Sequence, residues 1–185
     1  MEEGGHGPDA VPSFPFLALV ISGGNTALLL ARAVGDYQQL GSTLDDSIGE
    51  AVDKAARSLG LGYDPGTGPA AVFVDAALRG RHDPAIQLPT IRSRHMAQGL
   101  DFSFSGIKTA FAGVCAARKA PDGTLSPEDQ QNLAWAFLQA CSQQLIDRVQ
   151  RALPLLRSED GFVHGAPVPL VVCGGAARNK FVFAR

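Results

Sequence analysis

The stretch LALVISGGNTALLL, from Leu17 to Leu30, limits what this chain can become more than any other. Two apolar runs, Phe14–Ile21 and Thr26–Ala33, flank the polar turn Ser22-Gly23-Gly24-Asn25. Runs of this length, rich in Leu, Val and Ala and broken by Gly-Gly, predict the two strands of a hairpin. The turn carries a hydroxyl, an amide and two glycines, so a ligand can reach its backbone. Successive amides of such a turn form an anion-binding nest, or they simply close a tight hairpin. The turn alone leaves both readings open.

A sheet built on this hairpin needs a core, and 45% hydrophobic residues against 18% charged ones in 185 residues supply it. The net charge of −2 is unevenly spread. Residues 1–60 hold eight acids against three bases, whereas 81–119 hold Arg81, Arg92, Arg94, Lys108, Arg118 and Lys119 against Asp83 and Asp101. That basic segment reads either as a solvated face or as a phosphate-binding surface. Cys115, Cys141 and Cys173 are dispersed in apolar runs without metal spacing, which predicts buried thiols in a reducing compartment. No apolar run approaches the roughly 20 residues that span a bilayer, so no membrane is expected and the cytoplasm is. The opening MEEGGHGPDAVPS lacks the basic and apolar regions of a signal peptide. Residues 1–13 are expected to be a loop or disordered, ahead of one domain over 14–185.

After the hairpin, Tyr37–Leu40 predicts a short third strand. Ser42–Leu59 predicts a helix, capped by Ser42 or Thr43 with Asp45 or Asp46 closing a capping box, and ended by Gly60. Asp46, Glu50, Asp53 and Arg57 then share one face. They form a solvated surface with an i,i+4 pair, or an acidic patch for sugar hydroxyls or a metal. Asp64-Pro65-Gly66-Thr67-Gly68-Pro69 is a stiff glycine-rich loop, and a helix is expected over Ala70–Arg79. Residues 84–99 are irregular and basic. Asp101–Gly106 alternates like a strand before a helix over Ile107–Arg118. Lys108 in the first turn of that helix opposes the helix dipole, so an anion nearby would relieve it. Ser126-Pro127-Glu128-Asp129 starts the longest helix. Val168–Cys173 predicts a buried, parallel strand, and Gly174-Gly175 leads into a helix beginning near Ala177.

Strand, Gly-Gly and helix is a setting in which phosphate or ribose binds at the carboxyl end of a sheet. Two such corners about 150 residues apart predict two halves facing one cleft, the layout of the actin-like ATPase and sugar-kinase architecture, here an α/β fold incomplete at both ends.

VISGGNT, DDSIGEAVDKAARSLGL, GLDFSFSGIKTAF and VVCGGAARN, in that order and spacing, closely resemble the TsaD family (also called Gcp, with OSGEP as its eukaryotic relative) over about residues 14–185. The resemblance implies a tRNA threonylcarbamoyltransferase, an acyltransferase that moves threonylcarbamoyl from threonylcarbamoyl-AMP to N6 of the adenosine 3′ of certain anticodons. It places Val20, Ile21, Ser22, Gly23 and Gly24 against the phosphate and carbamoyl group. Asp53 then falls on the ribose hydroxyls, Gly68 on the nucleotide loop and Asn179 near the adenosine. It also implies ATP or ADP as ligands of the nucleotide site, and tRNA, TsaB-like and TsaE-like proteins as partners.

The family's divalent metal, iron or zinc, is held by an HxxxH pair and a distant aspartate. His6, His82, His95 and His164 lack that spacing, so no metal ligand is assigned in this chain, and the chain alone is expected to be inactive as a transferase. No catalytic residue is assigned either. Asn25 stands where the family usually has histidine, and an amide cannot carry a proton as imidazole does. The alternative is a non-catalytic, nucleotide-binding TsaB-like partner protein. A sugar-kinase reading lacks a catalytic aspartate, and a protease reading lacks any HExxH.

Overall fold

The hairpin alternates as its sequence asks. Leu17, Leu19 and Ile21 of strand β1 (Phe16–Ile21) are buried, and Ala18 and Val20 between them are half-buried. Strand β2 (Thr26–Ala33) runs antiparallel to it, pairing Leu17 with Leu30, Leu19 with Leu28 and Ile21 with Thr26. This register stacks leucine on leucine across the strands. The computed structural model describes residues 12–61, 66, 68–89, 99–156 and 166–183. Residues 1–11 of the expected leading loop, Asp64, Pro65 and Thr67 of the glycine-rich loop, Arg92 and Arg94 of the basic segment, and His6, His95 and His164 lie outside them.

Strand β3 (Asp36–Ser42) continues the meander antiparallel to β2, longer than the four residues expected. Strand β4 (Leu170–Cys173) joins β1 on its other side and runs parallel to it, so the order is β3-β2-β1-β4. The parallel pairing follows expectation and the burial does not. Among the described residues β4 pairs on one side only, and Leu170 and Cys173 are exposed. An apolar run reports what a strand can bury, not how many neighbours it has. The same correction applies to the thiols: Cys115 and Cys141 are buried, whereas Cys173 is not.

Helix α1 (Ile48–Ser58) starts later than its sequence suggests. Residues 43 and 44 keep sheet-like bonds instead: Thr43 N–H donates to the Thr26 carbonyl at 2.8 Å and Leu44 N–H to the Phe102 carbonyl at 2.9 Å. Ser47 is the cap, its hydroxyl accepting from Glu50 N–H at 3.2 Å. Asp46 therefore precedes the helix and does not share the α1 face. Gly60 ends the helix as expected, with a φ of 67°. Helix α2 (Gly68–Arg79) begins two residues before Ala70.

Helix α3 (Ser105–Arg118) follows Asp101–Phe104, which makes only an isolated bridge to Thr43 and no strand. The reason is a side chain. Gln144 accepts from Ser103 N–H at 2.9 Å and donates to the Ser103 carbonyl at 3.0 Å, acting as a strand partner for one residue. Helix α4 (Pro127–Leu156) is the longest, opened as expected by Ser126, whose hydroxyl accepts from Asp129 N–H at 3.1 Å and donates to the Asp129 carboxylate at 2.6 Å. Phe73, Phe111 and Phe137 join α2, α3 and α4, with ring centroids 4.8 to 6.2 Å apart and no exposure. A 3₁₀ turn (Gly175–Arg178) and the short helix α5 (Lys180–Phe183) follow β4.

Candidate functional site

The two Gly-Gly corners meet at one end of the sheet. β1 and β4 are adjacent and parallel, and Val20 is paired with Cys173, so the Ser22 turn and the Gly174 corner emerge side by side. This corrects the expectation of two facing halves: among the described residues both corners belong to one sheet. Gly174 has a φ of 100°, and a Cβ there would lie 2.3 Å from the Ile21 carbonyl oxygen. Only glycine fits such an approach. On the other flank, a Cβ on Gly49 would lie 2.7 Å from the Gly23 Cα and from the Ser22 carbonyl oxygen.

Beside these corners is a cleft of about 560 Å³. Gly49 and Val52 of α1, Ala70 and Leu78 of α2, and Gly175 and Asn179 of the second corner line it. Asn179 also caps α5, its side-chain oxygen accepting from Phe181 N–H at 3.0 Å. Of the residues expected at a nucleotide, Asn179 lines the cleft directly. Ser22 and Gly23 touch its wall through Gly49. Asp53 follows Val52 on α1, and its half-buried carboxylate makes no hydrogen bond or ion pair among the described residues. Gly68, with a φ of 75°, starts the helix that carries Ala70. The side chain of Ile21 is core, Val20 is half-buried and Gly24 is exposed. The cleft also takes Asp75, Arg178 and Lys180, which the sequence reading did not single out. Two cations flanking Asn179 were the available signal.

The Ser22 turn is self-closed. Ser22 Oγ accepts from Asn25 N–H at 2.9 Å and from Gly24 N–H at 3.3 Å, and donates to the Asn25 carbonyl at 3.1 Å. The Ser22 hydroxyl oxygen is thus the acceptor for two of the turn's amides.

The anion near Lys108 comes from the protein. Lys108 pairs with Asp46, which also takes Lys54 at 2.6 Å. Hydrogen bonds from Lys108 and Lys54 hold the Asp46 carboxyl below its usual range against the upward push of burial. Next to it, Asp45 caps α3. One of its oxygens accepts from Phe104 N–H at 2.8 Å and Ser105 N–H at 3.2 Å, the other from the hydroxyls of Ser103 at 2.5 Å and Ser105 at 2.7 Å. Of the four described cations of the basic segment, Arg81 and Arg118 are paired as well as Lys108. Arg81 pairs with Glu128 at 2.5 Å, and Arg118 with Asp83 at 2.9 Å and Asp129 at 2.8 Å. Among the described residues, three cations of the segment are thus matched by carboxylates of the protein.

Among the described residues no three His, Cys, Asp or Glu side chains gather to hold a metal. His82, the described histidine, packs edge-on against Trp135 at 5.6 Å. The described residues do not fit a metal centre. No helix among the described residues is long and apolar enough to cross a membrane.

A β-hairpin paired to a parallel strand, with Gly-rich corners side by side at their ends and a helix-walled cleft beside them, belongs to the actin-like ATPase class of α/β folds. The sequence model of one family within that class, TsaD: tRNA N6-adenosine threonylcarbamoyltransferase, matches residues 3–185. The chain belongs to this family. Relatives bearing that same name include those of Agrobacterium fabrum, 44% identical over 168 residues (91% of this chain, 43% of the relative), and Brucella anthropi, 44% identical over 172 residues (93% and 44%). The relative from Rhizobium etli is 43% identical over 167 residues (90% and 42%). The chain thus spans less than half the length of these relatives.

Proposed function

We propose that the protein is a tRNA N6-adenosine threonylcarbamoyltransferase and that the cleft holds the adenylate of threonylcarbamoyl-AMP. The observation that carries this reading is the pair of glycine corners side by side at the ends of β1 and β4, next to the cleft, in a chain of this family. Asn179 meets the adenosine, with Gly68 at the start of the opposite wall. Asp53 accepts from the ribose hydroxyls with a carboxylate that no described side chain occupies. The backbone of Val20–Gly24, with the Ser22 hydroxyl, takes the phosphate and carbamoyl group.

In the transfer, N6 of the tRNA adenosine attacks the carbamoyl carbon. The bond from that carbon to the phosphate oxygen breaks, AMP leaves and N6 loses a proton. Donors at the turn steady the charge on the departing phosphate. The divalent metal of the family, tRNA, and TsaB-like and TsaE-like partners belong to this reading, as does a cytoplasmic setting. Nothing supports the alternative of a non-catalytic partner protein.

The test supplies the protein with threonylcarbamoyl-AMP, a divalent metal, its partner proteins and tRNA, and looks for threonylcarbamoyladenosine by mass spectrometry. AMP binding is measured alongside by calorimetry. Asp53→Ala is expected to weaken AMP binding about 10- to 100-fold, the range for a lost bond to a charged acceptor. A wild-type protein that binds no adenine nucleotide refutes the reading; this chain alone, to which no metal ligand is assigned, is expected to form no product.

A further inference from the structure

The Ser22 and Gly23 carbonyls of the turn are held by α1, and the Gly23 amide is left open. The Ser22 carbonyl accepts from Gly49 N–H at 3.2 Å, and the Gly23 carbonyl from the Ser47 hydroxyl at 2.7 Å. In a trans peptide the N–H points opposite to the C=O. Each of these bonds therefore also aims an amide. The first turns Gly23 N–H, and the second Gly24 N–H, away from α1. Gly23 N–H has no acceptor among the described residues, and Gly24 N–H reaches only Ser22 Oγ at 3.3 Å.

Ser47 is suited to this by chemistry as well as by place. It is 2% exposed. Its hydroxyl has one proton, given to Gly23, and a lone pair that accepts from Glu50 N–H at 3.2 Å. The cap of α1 and the orientation of the Gly23–Gly24 peptide are thus set by a single oxygen. Its neighbours hold it from the other side, since Asp45 and Asp46 are fixed to α3, Lys54 and Lys108.

We propose that Ser47 is a positioning residue for the phosphate of the bound nucleotide, acting through the peptide plane it locks. This rests on the reading of the turn as a phosphate site. Fixed amides need no reorganisation when an anion arrives, which is where preorganised donors gain over water.

The test compares AMP with adenosine on the 185-residue chain. In the wild type AMP is expected to bind more tightly than adenosine, with the Gly23 and Gly24 amide resonances moving for AMP and still for adenosine. Ser47→Ala is expected to weaken AMP roughly 5- to 10-fold, the worth of one net hydrogen bond, leaving adenosine within about twofold. Ser47→Thr, which keeps the hydroxyl, restores AMP affinity. Ser47→Asp keeps a cap acceptor but has no proton for Gly23, so it loses the AMP preference.

If wild-type affinity ignores the phosphate and the glycine amides stay silent, the phosphate reading of the turn falls and this proposal with it. If the wild type prefers AMP and Ser47→Ala keeps that preference, the proposal alone is overturned. Silent glycine amides in an AMP-preferring wild type overturn it too, whether or not a variant folds.

Discussion

Replacing Asp45 by alanine removes the group that starts α3 from outside the helix. The two Asp45 oxygens do different work. One accepts the Phe104 and Ser105 amides and the other the two serine hydroxyls. Asp45 lies at the surface, so in Asp45→Ala the hydroxyls turn to water at little cost. The helix amides lose a cap, worth about 1–2 kcal/mol. At about 2–4 °C per kcal/mol for a chain of this size, Tm falls by about 2–8 °C. Asp45→Asn is the control. Its amide oxygen can keep both backbone amides and its NH2 can donate to the rotatable hydroxyls, so it is expected to cost under half as much.

Acid separates the two further. Burial pushes the Asp45 carboxyl up, but the hydrogen bonds from Ser103, Ser105 and the Phe104 and Ser105 amides outweigh it and leave it below its ordinary value. A carboxylate with a lowered folded-state pKa stabilises above its unfolded value of about 4 and loses that contribution as pH falls through the lowered one. The wild-type advantage over Asp45→Asn is therefore present at pH 6 and shrinks below about pH 4. Urea midpoints at both pH values measure this. An Asp45→Ala midpoint equal to wild type, or an advantage over Asn that grows in acid, refutes the capping argument.

Phe137→Ala opens the centre of the three-ring cluster and is expected to cost about 3–5 kcal/mol by urea denaturation. Gly174→Ala forces a Cβ against the Ile21 carbonyl at a φ of 100° and is expected to lower stability by about 1–3 kcal/mol, with AMP binding weakened in calorimetry. In the native protein a thiol reagent is expected to label Cys173 alone. Cys115 and Cys141 are buried, and desolvation raises the Cys115 thiol to about 11. Mass spectrometry of labelled peptides checks this, and early labelling of Cys141 contradicts it.

The hairpin, its turn, α2 and the Ser126 start of α4 were legible in the sequence because each depends on neighbours a few residues apart. Periodicity, a capping serine or a glycine pair acts locally, and little in the fold competes with it at those places. The start of α1 was not legible, since Thr43 and Leu44 bond to Thr26 and Phe102 and those bonds win over a local cap. Asp101–Phe104 alternates like a strand but finds Gln144 as its partner, which no local pattern announces. The sequence alone determined the apolar runs, the glycines and the charges. The tertiary structure decided that both glycine corners lie at one end of one sheet, and that Asp45 and Asp46 answer the N-terminal amides and Lys108 of α3. Those outcomes turn on groups that approach within about 3 Å across 20 to 150 residues of chain, and spacing along the sequence does not encode that distance.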